Sequence, residues 1–402
     1  MTNLDEFGRN YLRLVLEINK HIEGYIDAWY GPDDLKAEVN ATPKKEPAAL
    51  LHDVAALQAS IPTDDPNRHA WLVAVLRAIE CTVRMLNGET FDYLDEVQRI
   101  YDIQPQKVDE KLFEEAHKIL DTLLPGTDSL AERLEKRRKL YAVPAHKLMS
   151  MLDLARTETR RRTLELVDLP PGETVEVRLT RNQPWSAYNW YLGNGRSLIE
   201  FNTDIQPDAR SLLALFAHEG YPGHHTEATL KEKLLYHEKG YAEQAAALLH
   251  SPSAVIAEGI ATTAIEIIFP NSTHYHWTIE HILPQADLSP DANDSAETLQ
   301  KLGEASRWLR YVSGNAAILY HTGQLNETET IEYIQTYALA SVERARKSFS
   351  FITHPLFRSY IFTYTQGYEL IQQAAQNGNK KPIFLRLLKE QILPSALANG
   401  RF

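Results

Sequence analysis

One cysteine in 402 residues, Cys81, leaves the chain without an intrachain disulfide and without a cysteine-built zinc or iron–sulfur site. Its thiol is expected to be a small buried hydrophobe of the 71–86 segment. Cations are outnumbered: the net charge of −12 opposes nucleic-acid polyphosphate and anionic membrane surfaces, so neither is an expected partner. No apolar run approaches the ~20 residues of a membrane span. The start Met1-Thr2-Asn3-Leu4-Asp5-Glu6 lacks the basic segment and apolar core of a signal peptide, so the expected location is cytoplasmic. Glycine and proline are scarce, at 18 and 20, and no Gly/Ser tract, repeat or low-complexity segment marks a linker. A G-x-S-x-G elbow, a G-x-x-x-x-G-K-[ST] loop and a strand-borne G-x-G-x-x-G are all missing, which removes serine-hydrolase and nucleotide-binding readings. A di-iron bundle needs two Glu-x-x-His pairs, and only Glu114-x-x-His117 fits.

What is present is the composition of a folded globular chain, 44% apolar and 24% charged. Apolar residues three and four apart predict helices over 10–22, 48–57, 69–86, 109–124 and 129–154, so residues 1–165 read as an almost wholly helical N-terminal region. The composition shifts at Leu169-Pro170-Pro171-Gly172. Beyond it, alternation over 174–179 and 197–202 predicts two strands around an aromatic loop at 184–195. Helical spacing returns over 208–217, 254–268, 297–319, 327–349, 360–375 and 382–393. The expectation is a mainly α fold with a small β-sheet, in which 1–165 and 166–402 form one interlocked whole.

The most informative string is Ala217-His218-Glu219-Gly220-Tyr221-Pro222-Gly223-His224-His225. The H-E-x-x-H signature of zinc hydrolases works because residues i and i+4 share a helix face and grip one ion, while the Glu beside the first His serves as general base toward water. Here position i+4 from His218 is Pro222. In an undistorted helix His224 would lie about 240° around the axis from His218, and His225 roughly 10 Å along it. Pro222 and Gly223 predict a break instead, one that swings His224 to the place that i+4 normally holds. His218 and His224 are then ligand candidates, Glu219 the base, and His225 either the alternative second ligand or an orienting neighbour. An isolated histidine is more often a surface or satisfied core group, but three with a Glu in eight positions argue against that reading.

A third ligand commonly comes from a later helix. Glu258, in Ala254-Val255-Ile256-Ala257-Glu258-Gly259-Ile260-Ala261, is a carboxylate on a helix that is apolar or small on nearly every face, and it therefore needs a partner. Glu266, two turns on, is a candidate for orienting a ligand histidine.

The strings AHEGYPGHH and AEGIATTAIE resemble the H-E-x-x-P-G-H-H and E-G-W-A-L-Y-x-E segments of the bacterial domain of unknown function 885 family, grouped with the gluzincin metallopeptidases. HIEGYIDAWYGP, RNQPWSAYNWYLGNGRSLIEFNTD and HPLFRSYIFTYTQGYELI extend the similarity over most of the chain. Ile260, Thr262 and Thr263 replace the usual Trp, Leu and Tyr, and Glu266 sits one residue later than the family's second Glu. The resemblance implies a zincin-like helical fold, one bound zinc ion and peptidase activity on a peptide or small amide.

By analogy with zincins, the 197–202 strand is expected to be a sheet edge that pairs with an extended peptide. Asn202 on it and Trp190 in the aromatic loop are candidate substrate contacts. An oxyanion donor is sought in Phe357-Arg358-Ser359-Tyr360-Ile361-Phe362-Thr363-Tyr364. Tyr364 is the choice, with Tyr360 one turn away and Arg358 as a nearby cation. The competing readings are another zinc-dependent amide or ester hydrolase, and a non-catalytic helical scaffold with a vestigial metal site.

Overall fold

The computed structural model describes residues 4–183, 185–291, 293–375 and 378–401; residues 1–3 at the start and Pro184 in the aromatic stretch lie outside these. Helix accounts for 63% and strand for 7%, so the fold is mainly α, as the helical spacing requires. Side-chain caps set several helix starts. Asp5 accepts from the Gly8 amide at 2.7 Å before Glu6–Asn19, and Asp65 accepts from two amides before Pro66–Leu86. Ser129 and Glu132 form a reciprocal capping box before Leu130–Leu140.

Three helices expected as single elements are divided. The 129–154 stretch becomes Leu130–Leu140 and Leu148–Leu164, with Pro144 between them unable to donate an amide. The 297–319 stretch splits into Ala296–Leu309 and Val312–His321, its junction tightened by Arg310 and Tyr311 amides that reach back three residues. The 327–349 stretch splits where Leu339 turns left-handed at φ 53° and Ser341 caps the next helix, Val342–Thr353.

Among the described residues there are five short strands: β1 (Ile26–Trp29), β2 (Thr174–Thr180), β3 (Ala187–Tyr191), β4 (Arg196–Asn202) and β5 (Ala246–Leu248). β1 pairs antiparallel with β5, so the first 165 residues are not wholly helical. In the larger sheet the order is β2-β4-β3, with β2 parallel and β3 antiparallel to β4. The expected edge strand over 197–202 is therefore the central one, and the edges are β2 and β3, the latter inside the stretch expected as a loop. Burial explains the exchange: Ser197, Ile199 and Phe201 point alternately into the core, whereas Tyr188, Asn189 and Trp190 are only partly covered.

Among the described residues, two smaller clusters and two large apolar cores hold the molecule. One joins Tyr11, Leu12, Leu72 and Val75 of the N-terminal helices to Tyr236 and Leu248. The other runs from Cys81, Tyr101 and Leu152 through Ile199, Phe216 and Val255 to Ile371 and Phe384. The helices Tyr93–Tyr101 and Leu148–Leu164 thus share a core with the C-terminal half, and the composition shift near 169–172 is not a core boundary. Cys81 is buried, as its sequence context predicts.

Candidate metal centre

The helix Ala209–Glu219 is capped by Asp208, which accepts from the Arg210 amide at 2.9 Å. It buries Leu212, Leu213, Phe216 and Ala217, leaving Ser211, Leu215 and His218 on a face that lines a large cleft. The helix stops at Gly220, the Tyr221–Pro222 peptide is cis, and a new helix, His224–Lys231, begins after Gly223. The Gly223 amide donates to the Ala217 carbonyl at 3.0 Å. A Cβ on Gly223 would lie 1.9 Å from the His218 carbonyl oxygen, so only glycine allows the chain to fold back this tightly. The expected break is present, and it brings the His218 and His224 rings to 4.8 Å, nearly perpendicular to each other.

Glu258 enters from the helix Pro252–Ile268, which crosses Thr363–Ala374 at a contact of two glycines. A Cβ on Gly259 would meet the Gly367 carbonyl oxygen at 2.6 Å, and one on Gly367 would meet that of Val255 at 2.2 Å. This close approach places the Tyr360 hydroxyl against Glu258, donating to Oε1 at 2.8 Å.

Among the described residues, His218, His224 and Glu258 present ligand atoms that lie within 4.8 Å of one another. Glu258 Oε2 is 3.5 Å from His218 Nε2, and Oε1 is 3.8 Å from His224 Nε2. Donors around a tetrahedral ion with bonds of about 2.0–2.2 Å are separated by roughly 3.3–3.6 Å. Oε2 is buried without a hydrogen-bond partner among the described residues, which is costly for a carboxylate and is the condition that a cation relieves. The donor set of two imidazoles and one carboxylate can hold a divalent metal ion.

The electrostatics agree with that fit. Burial holds both imidazoles below their usual range, in the neutral form that binds metal; at His218 the charges of His224 and Arg310 add to the effect. Burial also pushes Glu258 up to about 8, against the Tyr360 hydrogen bond. Glu219 rises to about 8 as well, from burial and then from the Glu258 and Asp27 carboxylates. A cation among these groups would reverse the preference of both carboxyls.

The cleft beside the cluster has a volume of ≈ 1480 Å³ and is lined by Glu219, Tyr360, Tyr364 and the residues of β3. Asn189 on β3 donates to the Glu219 carbonyl at 2.5 Å and pins the end of the helix that carries His218. Tyr364 packs edge-on to Tyr360 at 5.5 Å, and its hydroxyl makes no hydrogen bond among the described residues. Trp190 lines the cleft, 39% exposed, with its Nε1 donating to Glu200 at 2.9 Å.

Other expected residues have different partners. Arg358 forms a two-pronged ion pair with the buried Glu96 and does not line the cleft. Asn202 is buried, donates to the Gln183 and Trp185 carbonyls and does not line the cleft. His225 points away from the cluster, between Ser197 Oγ at 2.8 Å and Glu173 Oε2 at 3.0 Å. Glu266 pairs with Lys380 and accepts from Tyr368 at 2.9 Å, two turns from the ligands. Asp27 on β1 joins the site without a motif to announce it: it accepts from the Tyr188 hydroxyl, lines the cleft and adds its charge to Glu219 and Glu258. Its only signal was its place in the HIEGYIDAWYGP string.

No protein-family model and no curated protein matches this chain. The crystal structure of a "putative lipoprotein from Colwellia psychrerythraea" is similar in fold, with a TM-score of 0.53 and 13% sequence identity over 88% of this chain. This chain spans 65% of that protein's length. At such identity the likeness concerns the fold alone.

Proposed function

We propose that this protein is a zinc-dependent hydrolase acting on peptide bonds, a gluzincin-like relative of the domain of unknown function 885 family. The observation that carries the reading is the convergence of His218, His224 and an orphaned Glu258 oxygen beside Glu219 at the wall of a large cleft. His218, His224 and Glu258 would hold the zinc, whose chemistry when bound is Lewis-acid polarisation and acidification of water. Tyr360 holds one oxygen of Glu258 and leaves the other turned toward His218. Glu219, fixed at its backbone by Asn189, is the group that accepts a proton from the attacking water and returns it to the leaving amine. Tyr364 offers a hydroxyl that burial and the nearby carboxylates keep protonated, suited to donating to the developing oxyanion. The free edge of β3 is the place where an extended peptide would add as a further strand.

Elemental analysis of protein purified without chelators, paired with a peptide-library hydrolysis assay, tests the reading. One equivalent of zinc with peptide cleavage is the expected result, and Glu219→Gln should retain the zinc while losing about 10²–10⁴-fold in rate. A metal-free protein without hydrolytic activity would leave a scaffold. Cleavage of esters or simple amides but not peptides would move the assignment to another metal hydrolase.

A further inference from the structure

We propose that the cleft selects peptides with a free C-terminal carboxylate, read by a cationic wall of Arg310, Arg344 and Lys347. The proposal rests on the peptidase reading and adds its substrate class.

Arg344, Lys347 and Phe351 fall at i, i+3 and i+7 of Val342–Thr353, and all three line the cleft, so one face of that helix forms a wall. Arg310, at the C-terminal end of Ala296–Leu309, lines it too, and its charge is felt at His218. These cations stand out in a protein of net charge −12 because two of them lack counter-charges and the third shares one. The side chains of Arg310 and Lys347 make no ion pair or hydrogen bond among the described residues. Arg344 approaches only Glu135, at 4.0 Å, and that carboxylate already holds Arg138 at 2.8 Å. Arg138 lines the same cleft and repels Arg344, whose guanidinium is held down by burial first and by this neighbour second.

Unpaired like charges on a concave wall relax when an anion sits between them. The acidic lining comes from other elements: Glu23 before β1 and Asp27 on it, Asp208 at the cap of Ala209–Glu219 and paired with Arg210, Glu227 paired with Lys231, and Glu243 paired with Arg68, besides Glu219 and Glu258 at the cluster. A ligand with a carboxylate at one end and an uncharged or amino end at the other matches that division. The volume exceeds the about 300–1,000 Å³ typical of drug-sized ligands, as a short peptide needs. Cleavage of such a peptide breaks the C–N bond, attaches the water oxygen to the carbonyl carbon and transfers a water proton to the departing amine. No oxidant or further reactant enters.

The test is calorimetric binding to zinc-loaded Glu219→Gln protein, which does not turn substrate over. Three alanine-rich pentapeptides are compared: one with a free C-terminus, the same peptide as the C-terminal amide, and an amide ending in Glu. The free-terminus peptide should bind about tenfold more tightly than the plain amide, and raised salt should narrow the gap. Adding Arg310→Ala and Lys347→Ala, or the Gln pair at the same exposed positions, should remove the preference with zinc content and Tm unchanged. Equal affinity for acid and amide, no binding of any peptide, or a preference that survives both double variants would overturn the proposal. If the Glu-terminated amide matches the free acid, an acidic side chain is what the wall reads, and the terminal-carboxylate assignment fails. A wild-type protein that shows the preference but hydrolyses none of the peptides would overturn the peptidase reading alone.

Discussion

Tyr360 and Glu258 meet across two helices, and their 2.8 Å hydrogen bond decides which carboxylate oxygen is left for a cation. Orienting partners of this kind are worth about 10–100-fold in metal affinity, so Tyr360→Phe should weaken zinc binding by that factor in a chelator competition. Unchanged affinity would mean that packing alone positions Glu258. Tyr364 stands one helical turn away, with no hydrogen-bond partner among the described residues. Tyr364→Phe is expected to keep the zinc and the Tm while kcat falls about 10²–10³-fold, the cost of one lost oxyanion donor. A parallel rise in KM with kcat intact would assign Tyr364 to substrate binding instead. At this scale much was legible in the residues: His218, Glu219, His224 and Glu258 were nameable from chemistry and spacing. Arg358 and Asn202 were not separable from true cleft residues, because a charged or amide group looks the same whether it faces a cavity or the buried Glu96 and a pair of turn carbonyls.

Two glycine contacts set the arrangement of elements. Gly223 lets the chain fold back so that two short helices present His218 and His224 together; any Cβ there collides with backbone, which cannot move away as a flexible side chain could. Gly223→Ala should therefore abolish zinc binding while the far-UV circular dichroism keeps its helical shape. Retained stoichiometric zinc would show that the turn tolerates a wider path. Gly259 and Gly367 act between helices, where their bare backbones approach closely enough to bring Tyr360 and Tyr364 to Glu258. Gly367→Ala is expected to lower stability by about 1–3 kcal/mol in denaturant titration, since overpacking forces the helices apart, and to weaken metal binding with it. The helix break at Pro222-Gly223 could be anticipated because proline and glycine act locally. The edge strand could not: whether 187–191 or 196–202 lies outermost depends on what packs on the far side of each, and their residue types suit either place.

Across the molecule, buried ionisable groups set how stability responds to acid. Glu173 is buried, which alone would raise it, but hydrogen bonds from His225, Tyr221 and Arg160 prevail and hold it at about 2. Its folded value lies below the ordinary 4.5, so its contribution is present above that pH and is lost as pH falls from 4.5 through 2. Burial lowers His225 and His250, and takes His274 to about 4; these rings stay neutral when folded but gain protons when unfolded below about 6.5. Both effects have the same sign. Glu219 and Glu258, raised to about 8, act in the opposite sense, since their folded forms take up protons that the unfolded chain takes up only near 4.5. The fall in Tm is therefore expected below pH 4.5, and Glu173→Gln should start from a lower Tm at pH 7 and lose less of it there. Parallel Tm curves for the two proteins would remove Glu173 from the account.

The mainly helical class, the turn at Pro222-Gly223 and the three residues of the cluster with Glu219 beside them were legible in the amino-acid order itself. Helical periodicity, proline's missing amide and the ligand chemistry of His and Glu act over a few residues and need no tertiary context. Asp27, the Tyr360–Glu258 bond, the outward place of β3 and the unpaired Arg310 and Lys347 were decided only by the folded chain. Each depends on which distant segment becomes a neighbour: β1 lies about 190 residues before the ligand helix and the Tyr360 helix about 100 residues after Glu258, separations over which no local pattern in the sequence carries information.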